Sequence, residues 1–241
     1  MRYAIISDVH ANLEALEAVL KEIDSLTADG IVCLGDTVGY GANPNECTEI
    51  VRDRANVAVL GNHDQAATDG TSVEWFNTHA RAAILWTKRV LKPECAEFLK
   101  NLPYTASIDG ARLVHANPSE PGGWNYIFEP TEASYEFRCF DERVCFIGHS
   151  HFPLFFVKEG RSCKAVLPEP LKLEQDKRYI VNVGSVGQPR DHVPAASFAT
   201  LDLPEGIVEF RRVEYDRRLA YEKILKAGLP RFLAERLLVG E

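Results

Sequence analysis

The sequence predicts an α/β fold in which two packed β-sheets lie between helices. Three observations predict it. In the first 150 residues, short apolar runs alternate with segments of helical periodicity. Beyond residue 150, five strand-like runs follow one another, separated by turn residues such as Lys158-Glu159-Gly160-Arg161 and Leu203-Pro204-Glu205-Gly206. No linker, internal repeat or low-complexity stretch divides the chain, so residues 1–241 read as one domain.

Taken in order, Tyr3 to Ile6 reads as a buried strand. Leu13 to Ile23 reads as a helix, because Leu13, Leu16, Leu20 and Ile23 recur at spacings of three and four. Asn12 is a suitable N-cap, and Glu14 suits the positive end of the first turn. A strand over Ile31 to Leu34 precedes a helix from about residue 45 to 54, with Pro44 at its start. Val57 to Leu60 is a third strand. Residues 75 to 101, with Trp75 and His79 near their start, read as helical with a break at Pro93. Arg112 to Val114 and Val144 to Ile147 are short strands flanking a helix near 131 to 140. The later strands are Leu154 to Val157, Cys163 to Leu167, Tyr179 to Val183, Ala196 to Leu201 and Ile207 to Val213. Two short helices split by Gly228 and Pro230 complete the chain.

Composition narrows the function classes. An apolar fraction of 46% with 26% charged residues argues against extensive disorder, and 241 residues can bury a substantial core. The formal charge of −8 and the lack of a basic run argue against a stable nucleic-acid partner. An acidic protein can still take anionic phosphates where metal ions supply local positive charge. The six cysteines form no C-x-x-C pair and read as small buried hydrophobes in a reducing compartment. The N-terminal apolar run is too short for a signal-peptide core, and nothing approaches the roughly 20 apolar residues that span a bilayer. A soluble, cytoplasmic protein is expected. Ile207 to Val213 and the C-terminal helices offer surfaces for self-association without requiring it.

Five blocks carry chemistry: Asp8-Val9-His10, Gly35-Asp36, Gly61-Asn62-His63-Asp64, His115 and Gly148-His149-Ser150-His151. Each follows the carboxyl end of a predicted strand, where ligands bind in α/β sheets. Five of the seven histidines lie in them. If the chain stays extended, residues i and i+2 point the same way, so Asp8 and His10, and likewise His149 and His151, can converge on one ion. Oxygen and imidazole donors without thiolate suit manganese, iron or zinc rather than a closed structural zinc site. Asp36 is the natural bridging carboxylate.

The series D-x-H, G-D, G-N-H-D, H and G-H-x-H resembles the calcineurin-like metallophosphoesterase superfamily over residues 8 to 151. The block Asn182-Val183-Gly184-Ser185 extends the likeness to its small prokaryotic phosphodiesterase branch. The resemblance implies a four-layer α/β/β/α fold of two facing mixed sheets. It implies two divalent ions (Mn, Fe, Zn, Ni or Mg, with Mn favoured) and a bridging hydroxide that attacks phosphorus. By the same resemblance Asp8, His10 and His151 hold one ion, Asn62, His115 and His149 the other, and Asp36 bridges. His63 is the catalytic histidine outside the metal shell, with Asp64 hydrogen-bonding its ring and favouring the imidazolium. Ala116 stands where many relatives have glycine after the fourth-block histidine.

Substrate candidates are Asn12, whose other use is as an N-cap; Asn182, Gly184 and Ser185, which can present N–H groups to an anion; and Arg190, suited to bidentate phosphate contact. Trp124 or Tyr126 can stack a nucleobase or simply anchor a loop, and Tyr40 is a similar case. The expected activity is hydrolysis of a small phosphoester or nucleotide-like substrate, most simply a phosphodiester. A protein phosphatase or dinucleoside-polyphosphate hydrolase would use the same machinery. A non-catalytic metal-binding scaffold is the alternative of another class.

Overall fold

The computed structural model describes residues 1–68 and 73–241. The chain opens with β1 (Arg2–Ile6), α1 (Leu13–Ser25), β2 (Gly30–Cys33), α2 (Pro44–Arg54) and β3 (Val57–Ala58). Three helices follow, α3 (Asn62–Thr68), α4 (Thr78–Val90) and α5 (Pro93–Lys100). Next come β4 (Thr105–Ile108), β5 (Ala111–Val114), α6 (Pro130–Glu136) and β6 (Val144–Ile147). The second half holds β7 (Leu154–Glu159), β8 (Ser162–Val166), β9 (Leu171–Lys172), β10 (Arg178–Asn182), β11 (Ala196–Asp202) and β12 (Ile207–Val213), then α7 (Arg217–Lys226) and α8 (Arg231–Val239).

The strands form two mixed six-stranded sheets, ordered β3-β2-β1-β11-β12-β9 and β4-β5-β6-β10-β7-β8. The period-two alternation of side chains explains how each sheet serves two cores. In β1, Ile5 joins Val32, Leu34, Phe146 and Val181 between the sheets. Its neighbours Ala4 and Ile6 face outward and pack with Leu16, Val19 and Leu20 of α1. In β6, Phe146 faces inward while Cys145 and Ile147 pack with Ala133 and Phe137 at α6. Two facing sheets with helices on the outside match the expected architecture.

Local signals account for the helix boundaries. Asn12 caps α1 by accepting from the Ala15 N–H at 3.2 Å. Asn77 caps α4 through His79 and Ala80, so the helix starts after Trp75 rather than at it. Pro93 holds the first turn of α5, after Leu91 and Lys92 adopt the extended geometry that a following proline favours.

Three elements differ from expectation. The strand predicted to reach Leu60 ends at Ala58, because the chain turns into α3. There the Asp64 carboxylate accepts the Gly61 N–H at 3.3 Å, half of a capping box, and Asp36 accepts the His63 N–H at 2.8 Å. Strands β4 and β9 have no counterpart in the sequence reading; each is a short, half-exposed edge strand, one in each sheet. Cys33, Cys47, Cys95 and Cys145 are buried as expected, but Cys139 is exposed and Cys163 half-buried. Among the described residues no helix is long and apolar enough to cross a membrane.

Candidate metal centre

Strands β1, β2 and β3 run parallel in one sheet, as do β5, β6 and β10 in the other. The five motif blocks leave the carboxyl ends of β1, β2, β3, β5 and β6, so they gather at one end of both sheets. Backbone hydrogen bonds tie their loops together: Asp8 N–H to Gly35 O (3.0 Å), His10 N–H to Asp36 O (2.9 Å) and Gly148 N–H to His115 O (2.8 Å).

These loops are not extended. Asp8, His10, Asp36, His149 and His151 have φ of 54°, 49°, 52°, 67° and 63°. The expected same-side pairing of residues i and i+2 along an extended chain is therefore corrected. The side chains converge through left-handed turns instead. Such conformations cost non-glycine residues on the order of 1–3 kcal/mol each and persist where the surroundings over-determine them. Gly61 and Gly148 permit the close approach: a Cβ on Gly61 would collide with Asp36, and one on Gly148 with Ser7 and Asp8.

Two donor sets result. Asp8, His10 and His151 form one, and Asp36, His115 and His149 the other; within each set the donor atoms lie within 4.8 Å of one another. Asp8 Oδ1 is 3.2 Å from His151 Nε2 and 3.6 Å from His10 Nε2. Asp36 Oδ2 is 3.4 Å from His115 Nε2 and 3.7 Å from His10 Nε2, which places it between the sets. His63 also lies within 4.8 Å of donors on His10 and Asp36. Asn62 opens α3 beside them.

Backbone carbonyls orient the rings. His10 Nδ1 meets Val38 O at 3.1 Å, His115 Nδ1 meets Leu34 O at 2.8 Å, and His151 Nδ1 meets Gln188 O at 2.6 Å. A carbonyl only accepts, so each Nδ1 carries the proton and each Nε2 presents its lone pair inward. His149 is reversed: its Nε2 donates to Trp124 O at 3.0 Å, leaving Nδ1 free to ligate.

The residues fit a pair of divalent cations. Asp8 Oδ1, Asn62 Oδ1 and His115 Nε2 are buried with no hydrogen-bond partner among the described residues. Unpartnered buried polar atoms are costly, and a bound cation would satisfy the two oxygens and the Nε2 of a neutral His115. Burial opposes ionisation of Asp8 and Asp36, yet the surrounding imidazoles hold both carboxyls below the usual range. Burial also opposes the His115 imidazolium, but the Asp36 carboxylate outweighs it and raises that pKa to about 9. His149 falls to about 4 through burial and then the charge of His115. His151 falls to about 3 through burial and then Arg190.

Several roles expected around this centre change. Asp64 does not hydrogen-bond the His63 ring. Its Oδ1 accepts from Val38 N–H at 3.0 Å and its Oδ2 from Gly61 N–H, while burial and the charge of Asp36 raise its pKa to about 7. His63 Nδ1 has no partner among the described residues, and burial drives the ring toward the neutral form rather than the imidazolium. Asn12 caps α1 and donates to Gly187 O at 2.8 Å, so its amide is spent on the scaffold.

Asn182, Gly184 and Ser185 do not face an anion either. Asn182 donates to Gly148 O (2.7 Å) and Ser150 Oγ (2.8 Å), and its Oδ1 accepts the Gly184 N–H (3.0 Å). The Ser185 hydroxyl donates to Asp8 O at 2.8 Å. This block braces the loops that carry Asp8, His149 and His151. Arg190 donates to Tyr40 Oη (3.3 Å) and Gln188 Oε1 (3.0 Å), and its backbone N–H reaches His151 O.

Sequence reasoning missed Gln188 and Gln65. Gln188 acts through its carbonyl, for which no side-chain signal exists. Gln65 accepts from Trp124 Nε1 at 3.1 Å and so fixes the loop whose carbonyl holds His149. Its position one residue after the Gly61-to-Asp64 block was the only available signal.

The model of the calcineurin-like phosphoesterase superfamily domain matches residues 1–206. The chain belongs to the calcineurin-like phosphoesterase superfamily. Within it, the chain is 46% identical over 242 residues to an uncharacterized protein of Methanocaldococcus jannaschii, covering 98% of this chain and 97% of the relative. A metallophosphoesterase from Sphaerobacter thermophilus is 42% identical, with a TM-score of 0.90 and coverage of 100% and 99%. A hypothetical protein from Pyrococcus horikoshii OT3 shares the fold at 20% identity, with a TM-score of 0.79 and coverage of 100% and 98%.

Proposed function

We propose that this protein is a dinuclear metal-dependent phosphoester hydrolase, acting as a phosphodiesterase on a small or nucleotide-like substrate in the cytoplasm. The convergence of the two donor sets about Asp8 and Asp36 carries the reading, and superfamily membership supports it. Asp8, His10 and His151 would hold one cation, Asn62, His115 and His149 the second, with Asp36 between them. A bound pair supplies positive charge to phosphoryl oxygens and acidifies water toward neutrality. Mixed oxygen and imidazole donors accommodate manganese, iron, zinc, nickel or magnesium, and the family resemblance favours manganese.

The chain's own residues supply the rest. Carbonyls of Leu34, Val38 and Gln188 hold three imidazoles in the ligating tautomer. Burial of the centre keeps bulk water from competing with substrate. His63, at the start of α3, stands beside Tyr40 and Phe76 at the wall of an open cleft. There it would give a proton to the departing oxygen once the negative charge of a bound phosphate favours its imidazolium over the neutral form that burial sets. Arg190 meets a non-bridging phosphoryl oxygen. The free state of all six cysteines supports a reducing compartment.

The test is hydrolysis of bis-p-nitrophenyl phosphate and p-nitrophenyl phosphate by protein loaded in turn with each of these ions. Faster diester turnover is expected. Faster monoester turnover would reject the diesterase reading, and no turnover with any ion would favour a metal-binding scaffold.

A further inference from the structure

The cleft beside the centre has a volume of about 780 Å³ and opens against Asn62, His63 and His149. Its walls are aromatic. Trp75 and Phe76 stand on the segment leading into α4, and Trp124 and Tyr126 on the loop between β5 and α6. Phe76 meets the His63 ring edge-on with centroids 5.0 Å apart. Tyr126 lies flat on His149 at 4.1 Å with 17° between planes. The aromatic surface is thus continuous with both the proton donor and a ligand histidine.

The open ring face is that of Trp75, 93% exposed at the cleft's rim; Tyr126, 46% exposed, already stacks on His149 and on Phe128, whose centroid lies 5.2 Å away. An indole left almost wholly in water inside a wall of rings is a stacking surface without its partner. Aromatic faces favour offset-stacked or edge-on rings, and such stacking tolerates any base because every base presents a π-face. An alkyl chain would gain area alone. The volume lies in the range of small-molecule sites.

We propose that this cleft is the leaving-group subsite and that it takes a flat heteroaromatic ring of the nucleobase class, carried by the alcohol that departs from phosphorus. The inference rests on the hydrolase reading above. One water is consumed: its oxygen bonds to phosphorus, the ester P–O bond to the ring-bearing alcohol breaks, and that alcohol leaves with the proton given by His63. The proton is restored to the enzyme from the attacking water. The subsite lies on the His63 side because the departing oxygen must be within that residue's reach.

The test uses two P–C-linked analogues that cannot be hydrolysed, the phosphonates of adenosine 5′-monophosphate and of ribose 5-phosphate. Their dissociation constants are measured by calorimetry on the manganese-loaded full chain. The adenosine analogue should bind at least about tenfold tighter, the size expected of one stacked base. Trp75→Ala should remove most of that ratio, and its exposure keeps the fold out of question; Tyr126→Leu provides an independent arm. Equal affinities, no binding of either analogue, or a ratio unmoved in both variants would overturn the subsite. Turnover of bis-p-nitrophenyl phosphate is scored separately. Turnover with equal affinities rejects the subsite and leaves the hydrolase reading. Ring-selective binding without turnover rejects the hydrolase reading and leaves a nucleotide-binding cleft.

Discussion

The Nε2 atoms of His10 and His151 face each other at 3.0 Å across 141 positions of sequence. Each ring gives its Nδ1 proton to a backbone carbonyl, so two lone pairs meet in a buried, water-poor space. A cation bound between the two nitrogens would take both lone pairs. Mutual repulsion becomes shared ligation. Metal should therefore stabilise the fold. At a free manganese concentration 100-fold above its dissociation constant the gain is about 2.7 kcal/mol, and for a chain of this size that raises Tm by roughly 5–10 °C. Differential scanning fluorimetry with and without chelator measures it; identical Tm values would contradict the assignment.

Asp36 belongs both to the donor group of His10 and His63 and to that of His115 and His149, and its Oδ2 lies 3.7 Å from His10 Nε2 and 3.4 Å from His115 Nε2. Its Oδ1 also holds the His63 N–H. Asp36→Asn should weaken both cations together. Plasma emission analysis of the dialysed variant should show both lowered in parallel, whereas loss of one alone would remove Asp36 from the bridging position.

His63→Ala separates acid catalysis from ligation. As a proton donor, His63 is worth about 10²–10⁴ in rate on an unactivated ester. The loss should shrink for a p-nitrophenyl leaving group, which needs little protonation. Metal content should stay at the parent level. Because His63 lies within ligating distance of His10 and Asp36, metal content is the deciding readout. A variant that drops a cation would make His63 a ligand rather than the acid.

The buried Asn182 amide, at the end of β10, braces the loop that carries both His149 and His151 without touching either ring. Asn182→Ala removes donors to Gly148 O and Ser150 Oγ and the acceptor for the Gly184 N–H. Leaving such groups unpaired costs about 1–3 kcal/mol. Lower stability in urea, with weaker manganese binding, is expected. Full stability in the alanine variant would show that the brace is dispensable.

The sheets and most strand ends were legible because each leaves a local signature, whereas the division into two donor sets came from the family resemblance; spacing alone paired His149 with His151, which the structure places in different groups. Ile5 and Phe146 alternate with their neighbours at period two, and Asp8, Asp36 and His115 follow apolar runs. What stayed hidden depends on contacts without side-chain identity. The carbonyls of Leu34, Val38 and Gln188 orient three histidines, yet any residue there offers the same oxygen. The family resemblance implied a contact from Asp64 to the His63 ring, but α3 turns the carboxylate back onto Val38 and Gly61. Asn182-Val183-Gly184-Ser185 has the composition of an anion-binding turn; only the packing shows its polar atoms consumed by neighbouring loops.

The same Asp36 that would draw cations also holds a proton on His115 in their absence. Burial disfavours the imidazolium, but Asp36 at 3.4 Å more than offsets it and lifts the pKa from 6.5 to about 9. A raised histidine pKa stabilises the metal-free fold fully below about pH 6.5 and loses that contribution as pH rises through 9. Ligation needs the neutral ring, so the two effects combine in one direction: between pH 7 and 9, manganese affinity at this position should rise about tenfold per pH unit and then level off. His149, at about 4, and His151, at about 3, are already neutral across that window and add no slope. Calorimetric titration in buffers of differing ionisation enthalpy should find about one proton released per chain at pH 7.5. Affinity flat from pH 7 to 9, with no proton released, would show that His115 does not ligate.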